Sequence, residues 1–230
     1  MVDATSLAQR IWDVLVKKGF EPAMRHGSDA ADRYEEQTGA PAPPEVVELW
    51  SVLGGRDILG MCLEGANSAG LWCAARASEA ESSGPGVPYE ELDGSASGAV
   101  RMVWWDRGWC PLHATVDNAI AVDSHPGAEG RAGQVVYCDM DVYSDREVVW
   151  GSVADFLRDV LAVVSSDGLV VEDGHGLMTH TDNWTCTVLM AVLETGRARR
   201  DGRPVPLIGF TEDSTRQLLD RLHTPRESEK

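Results

Sequence analysis

Apolar and polar residues alternate with a helical period at the start of this chain and with a strand period in its middle. Over residues 4–18, Leu7, Ile11, Val14 and Leu15 recur three and four positions apart, with Trp12 beside them. That spacing predicts an amphipathic helix, and Gly19 is a natural stop. SDAADRYEEQTG predicts a second helix, with Ser28 and Asp29 as candidate caps and Gly39 as its end. APAPP then imposes an extended connection. Pro44 suits the first turn of a third helix, PEVVELWSVLGG. Its core stripe is Val46 or Val47, Leu49 or Trp50, and Leu53, and Gly54 and Gly55 close it. A strand over residues 57–63 follows. Residues 65–99 lack a clear pattern, and SSGPGVPYEELDGSASG (82–98) reads as a long mobile loop.

From Val100 the pattern shifts to period two or to short apolar runs between turn residues. VRMVWW, GWCPLHA, NAIAVD, GQVVYCD and REVVW are five candidate strands. Their connections are too short for crossover helices, so the sheet they form is antiparallel. Ser152 caps a helix, SVADFLRDVLAVV, whose apolar face is Val153, Phe156, Leu157, Val160, Leu161 and Val164. Arg158 and Asp159 are expected outside that face, and the helix is expected to cover one side of the sheet. Further on, LVVEDG suits a strand. Residues 184–195, ended by Gly196, suit either a helix or a buried strand. RARRDGRP is the one basic cluster. We read Arg197, Arg199 and Arg200 as a solvated loop in preference to a contact with a second copy. EDSTRQLLDRLH predicts a last helix with Leu218, Leu219 and Leu222 on one face.

Composition narrows the class. At 230 residues, 43% hydrophobic and 25% charged, the chain fits one large soluble domain, or one domain with an extension. No apolar run approaches the roughly 20 residues of a membrane-spanning helix. The N-terminus lacks the basic start and apolar core of a secretory signal, so a cytoplasmic location is expected. Twenty Lys and Arg against 37 Asp and Glu give a net charge of −17. Such a surface repels nucleic acid and anionic membrane and would draw in a basic protein; solubility alone is the plainer account of it. The five cysteines (Cys62, Cys73, Cys110, Cys138, Cys186) contain no Cys-x-x-Cys pair. They read as small buried hydrophobes.

No constellation for catalysis emerges. His113, His125, His175 and His180 invite a metal hypothesis, but His175 and His180 are five apart and flank a loop-like GLMT, not the i, i+4 spacing of helical ligands. His125 stands near Asp123 in a Pro126–Gly127 turn, where both residue types are ordinary. Surface histidines are the preferred reading. There is no Gly-x-Ser-x-Gly elbow and no phosphate cradle. Neighbouring carboxylates such as Glu90 and Glu91, or Asp139 and Asp141, are what an acidic chain contains by default. We therefore assign no catalytic, cofactor-binding or metal-binding residue. Eight tryptophans are many for this length, with Trp104, Trp105 and Trp109 close together. Most are expected in the core, with one or two left for a partner surface.

Set in order, these elements resemble the SMI1/KNR4 (SUKH) superfamily. The resemblance rests on an acidic helix ending before a proline (Glu35, Glu36, Gly39, Pro43, Pro44) and a helix closing in Gly54–Gly55. It continues with a Trp-x-Pro strand (Trp109, Pro111) and an apolar strand from Ala119 to Asp123. Then come a turn and Gly-Gln-Val (Pro126, Gly127, Gly130, Gly133, Gln134, Val135), and a helix with Ser152, Phe156 and Leu157. It covers roughly residues 28–165. Leu53 stands where the family usually has Asn, and the segment from Gly65 to Gly98 is unusually long. The resemblance implies an α+β fold, an antiparallel, strongly bent sheet flanked by helices, without catalytic residues. Residues 1–27 would be a helical extension, 28–165 the SMI1/KNR4-like domain, and 166–230 an α/β extension packed on that domain. It further implies a protein-binding module, bacterial immunity-protein-like, that neutralises a basic, nuclease-type toxin. The alternative is a regulatory scaffold in cell-wall or signalling pathways. From a different class, a metal-dependent hydrolase built on His125, His175 and His180 is the runner-up. On this reading Asp123 and the shared glycines are turn formers and strand ends.

Overall fold

Asp3 starts the first helix. Its carboxylate accepts from the Ser6 amide at 2.7 Å, capping α1 (Ala4–Lys17), which buries Leu7, Ala8, Ile11 and Leu15. The computed structural model describes residues 3–19, 30–53, 56–58, 61–63, 66–82, 98–101, 103, 105–115, 117–140, 146–166, 169–172, 176–179 and 186–205. The expected caps Ser28 and Asp29, the Gly54–Gly55 close, most of the expected 82–98 loop, Trp104, Trp184, His175, His180 and the expected last helix lie outside them.

α2 (Ala30–Thr38) turns Tyr34 inward and ends at Gly39, whose φ of 72° is the left-handed region that favours glycine. α3 (Pro44–Leu53) buries Val46, Leu49, Trp50 and Leu53; Tyr34 and Trp50 meet with ring centroids 5.4 Å apart. The expected single strand over 57–63 is instead two short paired strands, β1 (Arg56–Ile58) and β2 (Met61–Leu63). The segment that lacked a pattern forms a helix, α4 (Ala66–Ser82). Its small residues hid the period: among its described side chains, Ala69, Gly70 and Cys73 are the buried positions.

Four of the five candidate strands form as expected: β3 (Trp109–Ala114), β4 (Asn118–Asp123), β5 (Gln134–Asp139) and β6 (Arg146–Trp150). With β1 and β2 they make one antiparallel sheet in sequence order, and the fold is α+β. The register shifts between Pro111 and His113 against β4, and between Val135 and Val136 against β6. Such irregularities bend a strand, and the first lies beside a proline that cannot donate to a ladder. None of the described residues of VRMVWW (Val100, Arg101, Val103 and Trp105) lies in a strand. Its neighbour Ala99 gives its carbonyl to Gly127 N at 3.0 Å and to Gln134 Nε2 at 2.8 Å, so this stretch is tied to the β4–β5 turn and joins no ladder. Gly127 permits the approach, since a Cβ there would stand 2.2 Å from the Gly98 oxygen.

Ser152 caps α5 (Val153–Val164) as expected, its hydroxyl accepting from Asp155 N at 3.2 Å. α5 packs on β5 and β6, and α1 lies across both α5 and α3. LVVE forms β7 (Leu169–Glu172), paired with β8 (Gly176–Thr179). The stretch left open between helix and strand is a helix, α6 (Cys186–Arg200), packed on α5 and β6. It runs through Gly196, so that glycine is not a stop. One hydrophobic core joins α1, α3, the sheet, α5 and α6.

Candidate interaction surface

The basic cluster is where the sequence reading fails most clearly. Arg197, Arg199 and Arg200 are not a solvated loop; they form the last turn of α6. Arg197 is 8% exposed, pairs with Glu147 and with Glu194 (3.3 Å), and lies over the Tyr137 ring at 5.5 Å. Arg199 reaches Asp159 at 2.6 Å, and Arg200 reaches Glu147 at 2.7 Å and Asp201 at 2.7 Å. Arg200 also donates to the Val148 carbonyl at 2.9 Å. Burial pushes the Glu147 carboxyl up, but Arg197 and Arg200 outweigh it and hold the group below the usual carboxylate range.

Asp159, expected outside the apolar face of its helix, is fully buried. Its Oδ2 accepts from the Trp150 indole at 2.9 Å. Burial raises its pKa against the opposing pull of Trp150 and Arg199. The helical period placed this residue correctly in angle, but α6 covers that side of α5. A groove of about 680 Å³ between β6 and α6 is lined by Arg146, Glu147, Trp150, Arg199 and Arg200 among others. Its Arg199 and Arg200 already face carboxylates, so it offers an incoming anion little.

The two described histidines, His113 and His125, lie apart. His113 is buried, not on the surface, and its Nε2 lies 3.1 Å from Asn118 Oδ1 across the β3–β4 hairpin. His125 is exposed, with Nδ1 at 3.2 Å from Asp106. Among the described residues no three His, Cys, Asp or Glu side chains could hold a metal ion. Asp123 works as a turn former: one oxygen accepts from His125 N at 2.9 Å, the other from Gln134 Nε2 at 2.9 Å. Burial raises its pKa, and the nearby Asp106 adds to the rise. Cys73, Cys110 and Cys138 are free and buried. Burial pushes the Cys138 thiol up to about 12. Trp50, Trp105, Trp109 and Trp150 are buried, while Trp12 and Trp72 are half-buried.

The outer faces of the first three helices carry both signs of charge, with Arg10 and Lys17 on α1 and Arg33 on α2 exposed among their acids. Asp3 and Asp13 at α1, Asp32, Glu35 and Glu36 on α2, and Glu45 and Glu48 on α3 are all exposed. Among the described residues no helix is long and apolar enough to cross a membrane.

The order of elements, from the acidic α2 through the Trp-x-Pro strand to the Ser152-capped α5, matches the model of the SMI1 / KNR4 family (SUKH-1) over residues 28–159. The chain belongs to the SMI1/KNR4 family. Two relatives are similar to part of the chain. One, from Schizosaccharomyces pombe, carries the name cell wall biosynthesis/cell cycle regulator smi1; it is 40% identical over 87 residues, 37% of this chain. The other, a KNR4/SMI1 homolog from Yarrowia lipolytica, is 31% identical over 145 residues, 55% of this chain. The chain covers 16% and 20% of these relatives' own lengths. The family match ends at Asp159, yet the arginines that pair with Asp159 and Glu147 come from α6, beyond the matched segment. No sequence signal short of that pairing would have found them.

Proposed function

We propose that this SMI1/KNR4 chain is a non-enzymatic protein-binding module of the cytoplasm, an immunity protein that neutralises a basic, nuclease-type toxin. The observation that carries the reading is the fate of the charge. The sequence's one basic cluster is turned onto Glu147, Asp159, Glu194 and Asp201, and over the whole chain 37 Asp and Glu stand against 20 Lys and Arg. A net charge of −17 then presents a basic nuclease with a field like that of its substrate, and speeds the encounter. The test is copurification with a basic protein encoded beside this chain, followed by association rates across a salt series. A rate that stays flat as salt rises sinks the electrostatic part of the reading.

A second reading is a regulatory scaffold in cell-wall or signalling pathways. It is favoured by the name of the Schizosaccharomyces pombe relative. A neighbouring toxin gene supports immunity; its absence, together with a cell-wall defect on deletion, supports the scaffold.

A further inference from the structure

Cys73 of α4 and Cys110 of β3 meet at one oxygen. The Cys73 sulfur stands 3.7 Å from the Tyr34 hydroxyl, and Cys110 is a hydrogen-bonding neighbour of the same hydroxyl. The Cys73 thiol also donates to the Trp109 carbonyl oxygen at 3.5 Å, and that peptide group's nitrogen belongs to Cys110. Standard peptide dimensions then place the Cys73 sulfur within about 6.5 Å of the Cys110 Cα. A disulfide needs its two Cα atoms about 4.4–6.8 Å apart, and α4 packs directly on β3. Neither cysteine is in a disulfide.

The two thiols differ in access. Cys73 borders a cavity of about 300 Å³ between α4 and the end of α2, with Thr38, Trp105 and Arg107 also in its wall. Cys110 lines no part of that cavity, and it is 2% exposed against 6% for Cys73. The space holds a molecule little larger than water, whose share of liquid volume is about 30 Å³, with ample room. A bulky thiol reagent finds Cys73 only at the far side of the cavity.

We propose that Cys73 and Cys110 are a thiol pair oxidised by hydrogen peroxide, Cys73 being attacked first and Cys110 resolving it. The Cys73 sulfur takes one oxygen from the peroxide: an S–O bond forms, the O–O bond breaks, and the thiol proton leaves with the released hydroxide as water. Cys73 is then a sulfenic acid. The Cys110 sulfur attacks it, the S–O bond breaks, and the Cys110 proton departs with the hydroxide as a second water. In sum, two thiols lose two electrons and two protons, and one peroxide becomes two waters. The product joins α4 to the sheet covalently and removes both S–H groups from the Tyr34 hydroxyl. This modification goes beyond the binding reading and does not depend on it.

The test treats the native full chain with hydrogen peroxide, removes the excess with catalase, unfolds the chain in urea and alkylates the remaining thiols. Digestion that cuts after Trp72 separates Cys73 from Cys62 before mass spectrometry. A peptide pair joined through Cys73 and Cys110, and parted by dithiothreitol, is the expected product. Cys138, which has Arg146 and Asp123 as its charged neighbours, should still be alkylated. The oxidised chain should unfold at higher urea, because the cross-link constrains the unfolded state. In Cys110→Ala, Cys73 should stop at the sulfenic acid and be trapped by dimedone; in Cys73→Ser, Cys110 should give no adduct. Full alkylation of both cysteines after peroxide overturns the pair. So does a bond from either to another cysteine or to a second chain. An equal yield of the Cys73–Cys110 link when peroxide is added in urea also overturns it, by showing a chance encounter of unfolded thiols. A dimedone adduct at Cys110 in Cys73→Ser overturns the order of attack. The cross-link in the unaltered chain decides the proposal even where a variant fails to fold.

Discussion

Gly196 of α6 lies against the indole of Trp150 on β6: a Cβ built at position 196 would stand 2.4 Å from the ring nitrogen. Two contacts hold the ring in place. Its N–H is held by Asp159 at 2.9 Å, and its other contacts include Phe156, edge-on at 5.0 Å between centroids.

Gly196→Ala is therefore expected to destabilise the protein by about 1–3 kcal/mol through overpacking. Helix propensity alone would favour alanine by about 1 kcal/mol. Gly70 is the internal control. An added Cβ there clashes with the far end of Gln37, Oε1 at 1.9 Å, which can swing aside, and otherwise meets only the Gln37 Cβ at 3.1 Å, a few tenths of an ångström too close. Gly70→Ala should stay within about 0.5 kcal/mol of the parent. Urea denaturation of both variants checks this, and equal stabilities would refute the packing account.

Glu147 and Asp123 should give opposite slopes of stability against pH. The folded value of Glu147 is lowered, so its contribution is present above the unfolded value of about 4 and is lost as pH falls through the lowered one. The folded value of Asp123 is raised. Its contribution is present below about 4 and is lost as pH rises through the raised value. Glu147→Gln should make the acid-side loss shallower, and Asp123→Asn should remove part of the decline toward neutral pH. Urea midpoints measured over about pH 3–7 read both.

A chain cut before α6 should fail to fold, although it retains the whole family match. Val188, Leu189, Val192 and Leu193 are all buried, and each contributes roughly 1.5–3 kcal/mol by burial. Together they approach the entire net stability of about 5–15 kcal/mol that domains possess. Circular dichroism and solubility of a chain ending at residue 185 are the measurements; a cooperative melt from that fragment would show α6 to be dispensable.

Cys110 and Cys138 should resist alkylation in the native protein. Burial pushes both thiols up, Cys138 to about 12, so almost no thiolate exists at neutral pH. Pulse labelling read by mass spectrometry should find both unmodified until urea unfolds the chain. Rapid native labelling of either would mean that the sheet opens locally.

The elements legible in the sequence were those whose burial is one-sided and whose ends carry a chemical stop. α1 shows its Leu7–Ile11–Leu15 stripe, α5 its Ser152 cap, and the strands β3 to β6 their turn residues. α4 was illegible because it packs through Ala69, Gly70 and Cys73 while Leu71 faces water, so its hydrophobic pattern is nearly flat. VRMVWW misled for the opposite reason. Its apolar residues are partly core, Val100 and Trp105 being buried, but neighbouring backbone is tied to a side chain and a turn. The arginines of α6 could not be placed from spacing, because their partners Glu147 and Asp159 lie about 40–50 positions away and salt bridges leave no period.

Arg200 fixes one more property of the molecule. β6 is the last strand of its sheet, and an outer strand ordinarily offers its backbone to any other chain that can lie alongside. Here a guanidinium already occupies the Val148 carbonyl, and the helix that carries it sits over that edge. The ladder cannot be extended on this side by a neighbouring copy or by an invading strand. Any pairing of this sheet with another chain is thus confined to its opposite edge, β1.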